Sequence, residues 1–253
     1  MQIVGYETAA GEGPAALRLA EDGGVTRREL RPGAELAYAL GERRCAGAER
    51  SDGTHVACQR TDVPYCADHT SHWPCARCTG DCAMPIENCH EEHAVYLAGF
   101  APDVVKVGVT KTWRLETRLR EQGADRAAHI RTVENGKIAR QIEFDLADRF
   151  PDRVRVDHKI RSLHRSMNDA TWDRALADFD PIATFAFEYG FDLDARPVSE
   201  VVATGTVRGT QGRVLLLDRA GTTYAVDLRS LVGHEVTTGA SDRRLQSSFG
   251  AFQ

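Results

Sequence analysis

Seven cysteines crowd into positions 45 to 89: Cys45, Cys58, Cys66, Cys75, Cys78, Cys82 and Cys89. The stretch from 75 to 89 alone reads CARCTGDCAMPIENC. An odd number of thiols in a chain expected in the reducing cytoplasm disfavours a disulfide framework. Seven independent core thiols would not cluster this way, so metal is the better account. Tetrahedral zinc takes four ligands, often in pairs two to four residues apart. Cys75 and Cys78 make a CxxC pair, followed by Cys82 and Cys89. Cys45, Cys58 and Cys66 are completed by His69, three residues after Cys66 in CADH. Two structural Zn²⁺ sites are therefore expected, Cys45/Cys58/Cys66/His69 and Cys75/Cys78/Cys82/Cys89. His55, His72, His90 and His93 are possible substitutes, and an iron–sulfur cluster is the other option for the second set. A closed shell of four protein ligands leaves no place for substrate, so these metals are read as scaffold.

With its metals the cysteine-rich segment needs little core of its own, and the rest of the 253 residues is ordinary: 42% hydrophobic and 27% charged. The longest apolar stretch, near HAVYLAGFA, falls far short of the roughly 20 residues of a membrane span. The beginning, MQIVGYETAAGEG, lacks a basic and then apolar leader. The expectation is a cytoplasmic protein without a membrane partner. A formal charge of −5 excludes uniform positive charge but not a local basic face. The only lysines are Lys106, Lys111, Lys137 and Lys159, so arginine supplies most of the cations.

Four segments are expected in an α+β chain. Residues 1–44 alternate short apolar runs with Gly and Pro turns and read as a β segment. Residues 45–93 form the metal-dependent segment. Residues 94–197 read as an α/β core with a helical extension. There HAVYLAGF and VVKVGVT form a hairpin, and KTWRLETRLREQGA a helix stopped by Gly123. AAHIRTVE follows as a strand and NGKIARQIEFDLADRF as a helix with Ile138, Ile142 and Leu146 on one face. Further helix is expected within 158–179. Residues 198–253 show short strands at regular intervals, as in a small β-barrel-like module. GTVRGTQGRV lacks the GK[ST] ending of a phosphate loop and reads as hairpin turns.

The order strand, strand, helix, strand, helix from Tyr96 to Glu143 resembles the GIY-YIG endonuclease superfamily. AVY ends in Tyr96, KVG ends in Gly108, the first helix carries Arg118 (with Arg114 as the other candidate), and ARQIE supplies Glu143. The resemblance implies a metal-dependent nuclease site. Tyr96 would polarise water, and Arg118 with Lys106 would hold the phosphate. Glu143 would carry one Mg²⁺ or Mn²⁺. Lys106 stands where tyrosine is usual and Gln122 where histidine is common. Lys106 would bind phosphate or lower the pKa of Tyr96 from about 10. More of the chain, roughly residues 1–235, is similar to the domain of unknown function 2797 family, which brings no established activity.

Each of these residues also has a plainer role. A tyrosine on a strand is often simple packing, and Glu143 has Arg140 within one turn. RLETRLREQGADR is what a solvated helix face looks like, although Arg114, Arg118, Arg120, Lys106 and Lys111 are also suited to nucleic-acid backbones. The leading expectation is a zinc-stabilised protein that binds DNA or RNA and possesses or has lost endonuclease activity. The alternative, of a different class, is a protein-interaction scaffold with a degenerate site.

Overall fold

The computed structural model describes residues 1–11, 13–70, 89–239 and 245. In chain order the strands begin with β1 (Gln2–Glu7), β2 (Ala16–Glu21), β3 (Gly24–Glu29), β4 (Glu35–Arg43), β5 (Ala48–Glu49) and β6 (His55–Val56). The middle holds β7 (His93–Phe100), β8 (Val104–Lys111), α1 (Leu115–Gln122), β9 (Arg126–Val133), α2 (Gly136–Leu146), α3 (Val156–Ser162), α4 (Asp169–Leu176) and β10 (Ala183–Ala186). The last part holds β11 (Val198–Ser199), β12 (Ala203–Gln211), β13 (Val214–Arg219), β14 (Thr222–Asp227), α5 (Leu228–Leu231) and β15 (His234–Thr238). The fold is α+β and mostly β. No described helix is long and apolar enough to cross a membrane.

The chain divides into two compact units, Met1–Ser71 with Tyr189–Gln253, and His72–Glu188. The first is built on a nine-stranded sheet in the order β11-β14-β13-β12-β4-β15-β1-β2-β3. Strands from both chain ends interleave in it: β4 pairs with β12 on one side and β15 on the other. The segments read from sequence as an N-terminal β region and a C-terminal module therefore share one sheet. The apolar run of β13, Val214–Leu217, is buried throughout because the strand is central and covered. Ile3, Leu17, Leu36, Leu215, Leu217, Val226, Leu228 and Leu231 belong to its core.

The second unit has a four-stranded antiparallel sheet, β10-β9-β7-β8. Strand β10 was not expected from sequence. Helix α1 is entered through a 3-10 turn at Thr112–Arg114 and ends at Gly123, whose left-handed φ of 67° closes the last turn. Asn135 caps α2 by accepting from the Ile138 amide at 3.0 Å. Ile138, Ile142 and Leu146 of α2 pack with Val95, Leu97, Val105 and Val107 from one face of the sheet. The other face carries the polar residues considered next.

Candidate metal centre and polar site

Cys45, Cys58, Cys66 and His69 come together at one end of β4. Their ligand atoms all lie within 4.8 Å of one another. His69 Nδ1 is 3.4 Å from Cys45 Sγ and 3.2 Å from Cys66 Sγ. Zinc bonds of about 2.3 Å to sulfur and 2.0 Å to nitrogen place tetrahedral ligand atoms roughly 3.5–3.8 Å apart, so the donor set fits the ion. Two backbone donors reach Cys45: the amides of Gly47 and Cys66 point at its Sγ from 3.4 and 3.2 Å. A turn closed by the His69 and Thr70 amides on the Cys66 carbonyl aims the imidazole inward.

The cluster is tied to the sheet. The buried Gln2 side chain donates to the carbonyls of Cys45, at 3.3 Å, and Gly233, at 3.0 Å. The Tyr65 hydroxyl donates to the Val4 carbonyl at 3.1 Å. Burial pushes the Cys45 thiol up. Burial also acts upward on Cys66, but hydrogen bonds from Cys45 and His69 outweigh it and bring that thiol to about 7. Gly47, at φ 71°, has no room for a Cβ against the Val56 carbonyl. His55 lies beside the cluster but donates from Nε2 to the Ala46 carbonyl at 2.7 Å.

Of the second expected set, Cys75, Cys78 and Cys82 lie outside the described residues, as does His72. Cys89 Sγ and His93 Nε2 stand 3.0 and 3.1 Å from the point a Cβ on Gly136 would occupy. His93 donates from Nδ1 to the Glu91 carbonyl at 2.7 Å, which leaves the Nε2 lone pair on the Cys89 side. His90 is exposed and belongs to no group of three or more metal-ligating side chains among the described residues.

In the second unit, Tyr96 opposes Gly108 and Ala98 opposes Lys106 across the β7–β8 pair. Opposed residues share a face, so Tyr96, Lys106 and Gly108 point the same way. The Tyr96 ring lies over Gly108, where a Cβ would stand 2.5–2.9 Å from its hydroxyl, Cζ and Cε2. This is the physical reason for glycine at the end of KVG. Tyr96 is 1% exposed, and its hydroxyl accepts from Gln122 Nε2 at 2.6 Å. Burial raises its pKa above the ordinary value, with Gln122 and Arg118 opposing and Glu143 adding to the rise. The phenol thus keeps its proton at neutral pH, and Lys106 is not among the groups that tune it. The expectation that Lys106 lowers the Tyr96 pKa is overturned, because desolvation dominates.

Lys106 is 9% exposed. No hydrogen bond or ion pair reaches its ammonium from any described residue. Burial, then the nearby Arg118 guanidinium, lowers its pKa to about 8, while Glu143 and Asp152 oppose the shift. A lysine lowered from 10.5 destabilises the fold while it is charged. The penalty is felt fully below pH 8 and is relieved as pH rises from about 8 to 10.5. Lys106→Met should therefore raise stability at pH 7 by about 1–2 kcal/mol and abolish the parent's gain above pH 8, read from denaturant midpoints at both pH values.

The other cations are already paired. Glu121 bridges Arg114, at 2.8 Å, and Arg118, at 3.0 Å. Arg120 pairs with Glu116 at 2.9 Å and lies over the Phe187 ring. Lys111 pairs with Glu91 at 2.7 Å. The expected basic face is thus largely neutralised by acids, most of them on α1 itself. Glu143 pairs with Arg140 at 2.5 Å, and no group of three or more metal-ligating side chains includes it among the described residues. Sequence reading gave no role to Lys159, which donates to the Gln122 carbonyl at 2.6 Å and sits 4.2 Å above the Phe100 ring. Nor did it give one to Gln122, although its spacing of four from Arg118 placed both on one helix face.

The model of a family described as a protein of unknown function (DUF2797) matches residues 33–194, a span that holds the Cys45/Cys58/Cys66/His69 cluster and Tyr96, Lys106, Arg118 and Glu143. No curated protein and no solved structure matches the chain.

Proposed function

The chain belongs to this family of unknown function, DUF2797, and from that premise we propose that it is a zinc-stabilised protein that binds a nucleic-acid phosphate through Lys106 and Arg118. The observation that carries this reading is the Lys106 ammonium, nearly buried, without a partner among the described residues, and flanked by a guanidinium. Burying a charged lysine with a guanidinium nearby is costly. A bound anion would offset that cost and restore the ordinary lysine pKa. Tyr96 and Gln122 supply a neutral hydrogen-bonding pair beside it. The hairpin with tyrosine opposite glycine, followed by an arginine helix, supports the GIY-YIG-like reading of this core. Divalent-metal-dependent cleavage is the extended form of the proposal, with Mg²⁺ or Mn²⁺ on Glu143. In that role Glu143 would have to loosen its bond to Arg140.

Zinc at Cys45/Cys58/Cys66/His69 is structural in this reading. A second zinc would use Cys89 with the upstream cysteines, and His93 is the available replacement ligand. Binding is tested by fluorescence anisotropy with single-stranded, duplex and branched DNA and RNA, with Mg²⁺, Mn²⁺ or EDTA. Lys106→Met is expected to weaken binding about tenfold for every sequence and to reduce the salt slope by about one. Equal affinity in parent and variant would remove the proposal. The neutralised arginines of α1 favour a second reading, a protein-interaction scaffold, under which Lys106→Met leaves partner capture unchanged.

A further inference from the structure

We infer that Trp113 is a stacking platform for an unpaired nucleobase, and that the ligand of this chain is therefore a single strand of DNA or RNA. The inference rests on the nucleic-acid reading above and names the form of its substrate. Trp113 stands in the 3-10 turn between β8 and α1, the two elements that carry Lys106 and Arg118. It is 72% exposed, although few side chains gain more from burial than an indole. Phe144, at 74%, is as open, but among the described residues no cation or second ring lies against it. Trp113 is held. Its Nε1–H donates to Glu91 Oε2 at 2.9 Å, and the other oxygen of that carboxylate accepts from Lys111 Nζ at 2.7 Å. The Arg114 guanidinium lies over the ring, 5.9 Å from its centroid. The Thr112 amide donates to the Glu92 carbonyl at 2.9 Å and pins the turn itself.

A ring fixed in place while bare to water has lost rotamer freedom without gaining burial, so a ligand that covers it meets little further ordering cost. The surroundings say what that ligand is. Glu91 balances Lys111, and Glu121 balances Arg114 at 2.8 Å, so the ring sits in a charged but nearly neutral setting. That suits a base, whose flat π face is uncharged in every nucleotide, and not a phosphate. The phosphate falls to the polar site next along. Glu121 also holds Arg118 at 3.0 Å, so a run of measured contacts ties the ring to that site. A base inside a duplex hides both faces in the stack and cannot cover the indole, whereas a base in a single strand is free to. A tryptophan anchoring a protein partner would sit in an apolar interface core. The side chains placed against Trp113 are Glu91 and Arg114, both charged.

The full-length protein is titrated with three labelled probes: a short oligo-dT, the same backbone with tetrahydrofuran spacers in place of bases, and a duplex. Binding is read from probe anisotropy and from the protein's own tryptophan emission. Oligo-dT is expected to quench that emission, and the quenching should vanish in Trp113→Phe, which retains Trp73 and Trp172. Trp113→Ala should weaken oligo-dT about tenfold, as the loss of one stacked base does. Trp113→Phe should recover most of that affinity, and neither variant should alter binding of the spacer strand or the duplex. The ring is exposed, so both variants should fold, which circular dichroism checks. Equal oligo-dT affinity in parent and Trp113→Ala overturns the inference, and leaves the phosphate-binding reading standing if Lys106→Met still weakens binding. An equal loss on the spacer strand overturns it too, because the ring then acts through something other than a base. A changed oligomeric state in Trp113→Ala with oligo-dT binding intact assigns the ring to a protein interface and overturns it likewise. Absence of binding to all three probes ends both.

Discussion

Cys66→Ser is expected to release one zinc per chain and to lower the stability of the first unit by several kcal/mol. Structural zinc contributes about 10–16 kcal/mol of apparent binding energy in small metal-dependent folds, and much of that becomes folding energy. Here the effect spreads because the ligands hold more than themselves. Cys45 follows β4 closely, its carbonyl is held by Gln2 of β1, and its sulfur receives the Gly47 and Cys66 amides. Without the ion the variant is left with two crowded thiols, a hydroxyl and an imidazole in a partly buried space. Elemental analysis and thermal unfolding with and without chelator check the result. His69→Ala should behave alike, whereas His55→Ala should keep its metal. Full metal content and an unchanged midpoint in Cys66→Ser would mean that the four side chains meet for another reason.

Gly108→Ala is expected to cost about 3 kcal/mol, the upper end for overpacking a core. The added methyl would stand 2.5–2.9 Å from the Tyr96 ring, and that ring cannot retreat without giving up its bond to Gln122. Tyr96→Phe should not rescue the variant, because Cζ and Cε2 remain in place. Tyr96→Val makes room, so the double variant should be more stable than the two single effects summed, a positive coupling measurable by a double-mutant cycle. Simple additivity would show that the two strands shift apart instead.

The sequence made the Cys45/Cys58/Cys66/His69 cluster legible because bringing metal-type donors together is a local problem: four donors, short spacings, one imidazole near the last thiol. The hairpin, α1 and α2 were legible for the same reason, through apolar periodicity and the punctuation of Gly123 and Asn135. Strand β10 was not, because ATFA is four residues with no alternation long enough to read. Nor was the nine-stranded sheet, whose pairings of β4 with β12 and β15 join residues some 160 or more positions apart. The polar site was half legible. Tyr96, Lys106, Arg118 and Glu143 were nominated by residue type and order. That Glu121 would neutralise two arginines, and that burial would raise the tyrosine and lower the lysine, depended on distances no spacing encodes.

The split of the first unit around the second, with Ser71 and Tyr189 as its inner boundaries, governs how the chain is made as well as how it stands. On the ribosome, β4 emerges long before β12 and β15, and must wait more than a hundred residues for both its neighbours. The middle unit is complete by then and is free to fold during that interval. Zinc captured early by Cys45, Cys58, Cys66 and His69 would act as a clasp on the unfinished edge, keeping β4 from unwanted pairing until the last strands leave the exit tunnel.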